Sequence, residues 1–86
     1  MKHIVYVLAC NDGTWYTGYT NDFNKRLRLH QAGKGAKYTR GRGPFELVHM
    51  FEYETRSEAL KAEYAFKKLS RKQKEKVVAK EKGEAT

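Results

Sequence analysis

The sequence predicts an α/β (α+β) domain in which a three-stranded antiparallel sheet is flanked by helices, in the order β-β-α-β-α-α. Two runs rich in Ile, Val, Tyr, Trp and Thr flank Asn11-Asp12-Gly13, and a third alternating run covers residues 45–53. Helix-capping residues precede amphipathic segments after the second and third runs. At 86 residues and 40% hydrophobic composition, the chain is long and apolar enough for one small folded domain.

The first two runs are predicted to form a hairpin. An Asp-Gly step between β-favouring runs is a strong hairpin signal, because glycine accepts the positive φ of a tight turn. Residues 4–10 are apolar in both alternating sets, which is typical of a central strand. Residues 14–19 place Gly18 two positions after Tyr16, so we expect a side chain, a backbone or a ligand to approach closely there.

The remaining segments alternate helix, loop and strand. Residues 23–32 are predicted as a short helix on which Arg26 and His30 share one side, four residues apart. Residues 33–44 contain four glycines and the single proline, which indicates a loop. Residues 45–53 then form the third strand.

The C-terminal third is predicted to be helical. Thr55 and Glu58 have capping-box spacing, and the apolar stripe of the helix that follows is Ala59, Ala62, Phe66 and Leu69. A last helix begins near residue 70 and turns Val77 and Val78 inward. We predict one domain over residues 1–82, followed by a frayed tail at residues 83–86.

The charge pattern favours a polyanionic partner. The net charge is +8, and residues 23–45 alone carry +7 without any acidic residue. Residues 67–86 carry a further +5, separated from the first basic block by an acidic segment. So large an excess on a small body attracts polyanions, which makes nucleic acid the first partner to consider.

Other classes of protein are disfavoured. The single cysteine, Cys10, cannot form an internal disulfide, and the apolar run of residues 4–10 is too short to span a membrane. We therefore expect a cytoplasmic protein without a membrane partner. His3, His30 and His49 lie on different predicted elements without a set of cysteines, so a zinc site is not expected.

Four side chains are the main candidates for chemistry, and each has a simpler interpretation. Glu63 lies on the apolar face of its helix, where an unpaired carboxylate is costly, so a cation or a metal should accompany it. An ion pair to Arg26 or Lys67 would also explain that position. Strand tyrosines such as Tyr6 and Tyr16 often only pack, and a helical arginine is often a surface charge.

Taken together, these residues resemble the GIY-YIG nuclease superfamily, specifically its small single-domain bacterial members of the UPF0213 kind. The first motif falls on Ile4-Val5-Tyr6 and the second on Tyr16-Thr17-Gly18, with ten residues from tyrosine to tyrosine. Arg26 and Glu63 match the helix arginine and the metal-binding glutamate of the family. Ile4, Val5 and Thr17 depart from the motif residues, and they are framework positions rather than reactive groups.

The resemblance implies a metal-dependent endonuclease that hydrolyses DNA phosphodiester bonds, in DNA repair or recombination. Tyr6, Tyr16, Arg26 and Glu63 would be catalytic, with Glu63 holding Mg²⁺ or Mn²⁺. Tyr16 would act as general base, Arg26 would grip the scissile phosphate, and Tyr6 would position the water or the phosphate. The expected contacts to nucleic acid lie on the first helix and the basic loop: Lys25, Arg28, His30, Lys34, Lys37, Tyr38, Arg40 and Arg42.

Two alternatives remain open at this point. One is a module that binds DNA or RNA without catalysis, and the other is an interaction subunit that docks on a repair or recombination partner. We expect a monomer, and the sequence does not distinguish single-stranded from branched DNA. The nuclease hypothesis requires the four catalytic candidates to converge on one concave, positively charged face.

Overall fold

The computed structural model describes residues 2–83, and the end of the predicted tail, residues 84–86, lies outside the described residues. The predicted order β-β-α-β-α-α is confirmed. The elements are β1 (His3–Ala9), β2 (Trp15–Thr20), α1 (Phe23–Gln31), a 3₁₀ turn (Lys37–Thr39), β3 (Glu46–Tyr53), α2 (Arg56–Lys67) and α3 (Arg71–Glu81).

The three strands form an antiparallel sheet in the order β2-β1-β3. β1 is central, as its two apolar sets predict, and Val5, Tyr6, Val7 and Leu8 are each 1% exposed or less. β2 is therefore an edge strand. The groove of the candidate site lies along its outer edge.

The hairpin forms at the predicted place but through a longer loop than a two-residue turn. The backbone N–H of Cys10 donates to the carbonyl of Thr14 at 2.8 Å, which closes the loop. Gly13 has φ +86°, the positive value that the Asp-Gly step predicts for its glycine. The Asp12 carboxylate accepts from the backbone N–H of Thr14 at 3.1 Å and from its hydroxyl at 2.6 Å.

β3 differs from its predicted alternation because it contains a bulge. Val7 pairs with His49 and Leu8 pairs with Leu47, so Val48 is an extra residue on β3. The bulge exchanges the faces of the strand, and Val48 and Phe51 both pack against the core although they are three residues apart. Leu47 is left 41% exposed.

Two layers of helix and loop cover the sheet. Val7, Phe66 and Val78 form the buried core between the sheet and helices α2 and α3. Capping boxes at Thr55 and at Ser70 start these helices. Because side chains alternate along β1, Tyr6 points to the opposite face, where it meets Phe23 and His30 of α1.

No helix within residues 2–83 combines the length and the apolar character that crossing a membrane requires.

Candidate active site

Gly18 brings the two motif tyrosines together. It pairs with Tyr6 across the β1–β2 ladder. A Cβ atom at this position would lie 2.5 Å from the Tyr6 Oη and 2.9 Å from the Tyr16 Cε2, so no larger residue fits without displacing a tyrosine. The close approach expected at Gly18 is confirmed, and the approaching group is the Tyr6 hydroxyl.

Tyr6 is fully buried, at 0% exposure, and its hydroxyl is the centre of a hydrogen-bonded group. The Oη lies 2.7 Å from the Nε2 of His30 and accepts from the Nε of Arg26 at 3.4 Å. Burial raises the pKa of Tyr6 to about 12, although the bond from Arg26 works against that rise. Tyr6 is therefore a neutral phenol, and its full burial does not fit the expected contact with water or phosphate.

His30 is also inside the molecule, at 1% exposure. Its Nδ1 lies 2.8 Å from the Oγ1 of Thr39, and that hydroxyl donates to the carbonyl of Ala36 at 2.8 Å. Burial and the nearby Arg26 charge lower the pKa of His30. The expectation that His30 touches nucleic acid does not fit this position, since the imidazole serves Tyr6 instead.

Gly35 and Thr39 were not among the residues that the sequence singled out, and both hold His30. A Cβ atom at Gly35 would lie 2.3 Å from the His30 Nδ1, so the loop backbone packs directly on the imidazole. Thr39 is 1% exposed although it stands between the basic residues Lys37 and Arg40. In the sequence these positions read only as part of a glycine-rich, charged loop, and no periodicity distinguishes them.

Tyr16 is half-buried and faces the outside of the site. Its ring lies 6.2 Å from that of Tyr6, 5.3 Å from that of His30, and 5.9 Å from that of Tyr38, on which it stacks at 24°. A shallow groove of about 230 Å³ runs past it along the β2 edge, lined by Trp15, Tyr16, Thr17, Tyr38, Lys67 and Lys74. The groove is thus a concave surface that carries both aromatic and cationic side chains.

Arg26 joins Tyr6 to this outer surface. It is half-buried, and its bond to Tyr6 is the chief cause that raises the pKa of its guanidinium, with Tyr16 contributing in the same direction. The bond uses Nε, so the terminal nitrogens are the groups that interact with Tyr16 and can meet a further acceptor. Their planar fork matches the geometry of two phosphate oxygens.

Glu63 stands beside this group without touching it. Its charge contributes to the raised pKa of Tyr6, after the larger effect of burial. Its side chain is 17% exposed and forms an ion pair with Lys67 at 2.9 Å, which is one of the simpler interpretations given above. Three of the four candidates are therefore in direct contact, and Glu63 is an electrostatic neighbour.

Glu63 could hold a divalent metal only in an open site, in which most of the metal's ligands do not come from the protein. Within residues 2–83 no group of three or more His, Cys, Asp or Glu side chains could enclose an ion. A single carboxylate is enough for Mg²⁺ or Mn²⁺, because such ions keep several waters and take further oxygens from substrate phosphates. Glu63 would be the protein ligand, and Lys67 would have to leave it.

The predicted nucleic-acid contacts divide into two groups. Lys37, Tyr38 and Arg40 are exposed at the 3₁₀ turn that lies over Tyr16, while Lys25, Arg28 and Lys34 are exposed on or just after α1. Arg42 has a structural part as well. Its guanidinium lies 4.2 Å from the centre of the Tyr38 ring and pairs with Asp12 of the hairpin loop.

The sequence model of the GIY-YIG catalytic domain matches residues 2–76 of this chain. The chain belongs to the GIY-YIG family. Among relatives, the UPF0213 protein BH0048 of Halalkalibacterium halodurans is 54% identical over 79 residues, which cover 92% of this chain and 84% of that protein. The UPF0213 protein YazA of Bacillus subtilis is 54% identical over 74 residues, covering 86% and 75% of the two chains.

Two solved structures share the fold of this GIY-YIG domain. The solution NMR structure of the protein EF2693 from E. faecalis matches with a TM-score of 0.71 at 49% identity, over 100% of this chain and 92% of that one. The solution NMR structure of BH0048 matches with a TM-score of 0.62, over 92% and 84%. The family and the fold expected from the tyrosine motifs are both confirmed.

Proposed function

We propose that this GIY-YIG domain is a metal-dependent endonuclease that hydrolyses phosphodiester bonds in DNA, in the setting of repair or recombination. The observation that carries the proposal is the arrangement around Tyr6. Arg26 donates to its hydroxyl and Tyr16 packs near its ring, and Tyr16 also lines a groove that contains Lys67 and Lys74. Hydrolysis needs a group to accept a proton and cations to offset charge on phosphorus-bound oxygens, and this site offers both.

Arg26 is the proposed phosphate ligand. With its Nε held by Tyr6, the guanidinium presents its terminal N–H groups in a fixed direction. A fixed fork loses little conformational entropy on binding, and it stabilises the negative charge that grows as the phosphodiester is attacked.

Tyr16 is the proposed general base. A free phenol has a pKa of about 10, so deprotonating an attacking water at neutral pH requires cations that stabilise the phenolate. Arg26 next to it and the two lysines of the groove are the cations available from this chain. Tyr6, which is buried and neutral, positions these groups instead of touching the substrate.

Glu63 would hold the divalent ion. When bound, Mg²⁺ or Mn²⁺ supplies Lewis-acid stabilisation of negative charge on phosphate and leaving-group oxygens. In the present structure Lys67 neutralises the carboxylate. Once released from Glu63, Lys67 lies in the groove, where its ammonium can bind a backbone phosphate.

The exposed basic residues of the loop and of α1 would hold the DNA backbone. Phosphate contacts from Lys25, Arg28, Lys34, Lys37 and Arg40 provide affinity without reading base sequence. The 3₁₀ turn that carries Lys37 also carries Tyr38, which stacks on Tyr16. Backbone binding is therefore adjacent to the proposed cleavage position.

The test is cleavage of supercoiled plasmid, single-stranded, branched and RNA substrates with Mg²⁺ or Mn²⁺. We expect nicking that stops with EDTA and is lost in Arg26→Ala and Tyr16→Phe. Tyr64→Phe is the matched control, because Tyr64 is 65% exposed on α2 and its ring lies under Lys68 instead of lining the groove. Metal-independent cleavage, or equal cleavage by all three variants, would refute the proposal of a metal-dependent nuclease at this site.

One observation favours a second candidate, a DNA- or RNA-binding module without catalysis. Glu63 already has a cation partner in Lys67, so its carboxylate does not depend on a metal for compensation. Such a module would bind nucleic acid without needing a divalent ion, and it would cleave none of the substrates above.

A further inference from the structure

The hydrogen bonds around His30 form one directed chain from the basic loop to Arg26. The Oγ1 of Thr39 donates its only proton to the carbonyl of Ala36. It must therefore accept from His30, which places the proton of the imidazole on Nδ1. The Nε2 of a neutral imidazole is then an acceptor, and the proton between His30 and Tyr6 belongs to the tyrosine.

The direction of the Tyr6 proton decides what the phenol can do for Arg26. With its O–H turned to His30, Tyr6 offers a lone pair to the Nε of Arg26. In the other tautomer the His30 Nε2 would carry a proton and donate to Tyr6. The Tyr6 proton would then have to turn away from His30, and Tyr6 is fully buried, so bulk water could not receive it.

We infer that Thr39 is a positioning residue, which fixes the His30 tautomer and thereby ties the Nε of Arg26 to Tyr6, so that its terminal nitrogens meet phosphate beside Tyr16. The significance of this for cleavage rests on the proposed function, but the tautomer and the Arg26 bond do not. Thr39 lies inside a loop whose neighbouring residues Lys37 and Arg40 are exposed and basic. The same 3₁₀ turn thus binds substrate on its outside and orders the phosphate ligand from its inside.

The packing around His30 holds the imidazole in one orientation. Gly35 presses its backbone against the Nδ1 side of the ring, where a Cβ would be 2.3 Å away. The imidazole also contacts the rings of Tyr6, Tyr16 and Phe45, at 5.3 to 5.9 Å between centroids. A side chain held on all sides cannot exchange Thr39 for another partner by rotating.

The decisive measurement is the tautomer of His30 in the wild-type protein, read from long-range ¹H–¹⁵N correlations of the imidazoles. We expect a protonated Nδ1 and a bare Nε2, together with a slowly exchanging Nε–H signal from Arg26. A wild-type protein in which Nε2 carries the proton would overturn the inference without any variant, so the test does not depend on a mutant folding.

The variants Thr39→Val and Thr39→Ser separate positioning from packing. Valine keeps the shape and removes the hydroxyl, so the Nδ1–H population should fall and the Arg26 Nε–H signal should exchange with water. Serine restores the hydroxyl, and both signals should return. Equal spectra for the valine variant and the wild type would refute the role of Thr39, as would a serine variant that behaves like valine.

Cleavage by the same proteins adds the functional readout. Thr39→Val should lower turnover by about tenfold or more, because a catalytic group that is no longer held in place loses part of its contribution to the rate. The affinity for DNA without metal should change little. Unchanged turnover with an altered tautomer would refute the link to Arg26. If the tautomers behave as expected and the wild type cleaves nothing, the chain of hydrogen bonds stands and the nuclease proposal fails.

Discussion

At the scale of single residues, the site consists of buried polar groups that hold exposed ones. Tyr6 and His30 are almost inaccessible, and each makes hydrogen bonds with both neighbours in the chain from Thr39 to Arg26. Tyr16 and Arg26 are half-buried and reach the surface. Positioning and chemistry are thereby divided between two layers of side chains.

His30 gives the folded protein a predictable response to acid. Its pKa is lowered by burial and by Arg26, and its hydrogen-bond partners, Tyr6 and Thr39, are hydroxyl groups and not carboxylates. The unfolded chain therefore binds a proton more readily than the folded protein below the ordinary histidine pKa of about 6.5. We expect the free energy of unfolding to fall as the pH drops from about 7 to 5.

Urea unfolding at several pH values in that range measures the effect. His30→Gln, which cannot gain the proton, should flatten the dependence. Paired carboxylates such as Asp12 and Glu54 titrate in a more acidic range, because their pKa values are lowered, so they do not mimic the trend. Stability that stays constant or rises between pH 7 and 5 would contradict a buried neutral His30.

At the scale of elements, the β1–β2 hairpin brings its two tyrosines together only because Gly18 lacks a side chain. We expect Gly18→Ala to lower the free energy of unfolding by about 1–3 kcal/mol, since a Cβ must displace the Tyr6 hydroxyl or the Tyr16 ring. It should also disrupt the Arg26 bond. Denaturant unfolding and the aromatic NMR signals measure both effects.

Gly43→Ala is the matched control for this substitution. Gly43 has no positive φ, and a Cβ there would meet only side-chain atoms, the nearest at 3.2 Å on Phe45. A milder loss of stability is expected than for Gly18→Ala. If the two variants are equally stable, the packing of Tyr6 on Gly18 is not what constrains the hairpin.

Elements were predicted more successfully than the details between them. The hairpin, the central strand and the α2 cap follow from local signals: an Asp-Gly turn, two apolar sets in one strand, and a Thr55–Glu58 capping box. The bulge at Val48 has no such signal, because an extra residue changes register only relative to the partner strand. Short-range patterns do not contain that information.

At the scale of the whole molecule, the net charge of +8 should make nucleic-acid binding strongly dependent on salt. We expect the logarithm of affinity to fall steeply and linearly with the logarithm of salt concentration. Each phosphate contact removed should reduce that slope by about 0.7–0.9. Fluorescence anisotropy of a labelled oligonucleotide in EDTA measures the slope without cleavage.

The double variant Lys37→Ala/Arg40→Ala tests whether the basic loop makes those contacts. Its matched control is Lys80→Ala/Lys82→Ala at the end of α3, where Glu81 is an electrostatic neighbour of Tyr53 on β3, at the sheet edge opposite the groove. Only the loop variant should flatten the slope. Equal slopes for both variants would mean that the positive charge of the protein binds nucleic acid without a preferred face of the molecule.

Within the candidate site, the sequence singled out the motif residues but not the loop residues that hold His30. The motifs that contain Tyr6, Tyr16, Arg26 and Glu63 have a spacing that can be recognised in a single sequence. The roles of Gly35 and Thr39 depend on how a loop folds over His30, and the ion pair of Glu63 with Lys67 was only one of several options. These contacts join segments far apart in the chain or require a choice among partners that local pattern leaves open.

The claim that Glu63 serves a metal-dependent cleavage site is tested most directly by Glu63→Gln under single-turnover conditions with Mn²⁺. Glu75→Gln is the matched control, because Glu75 forms an exposed ion pair of the same i,i+4 type with Arg71. We predict a loss of about 100-fold or more in the cleavage rate for Glu63→Gln alone, with metal-free DNA affinity retained. Cleavage by Glu63→Gln at the wild-type rate would contradict the proposed site.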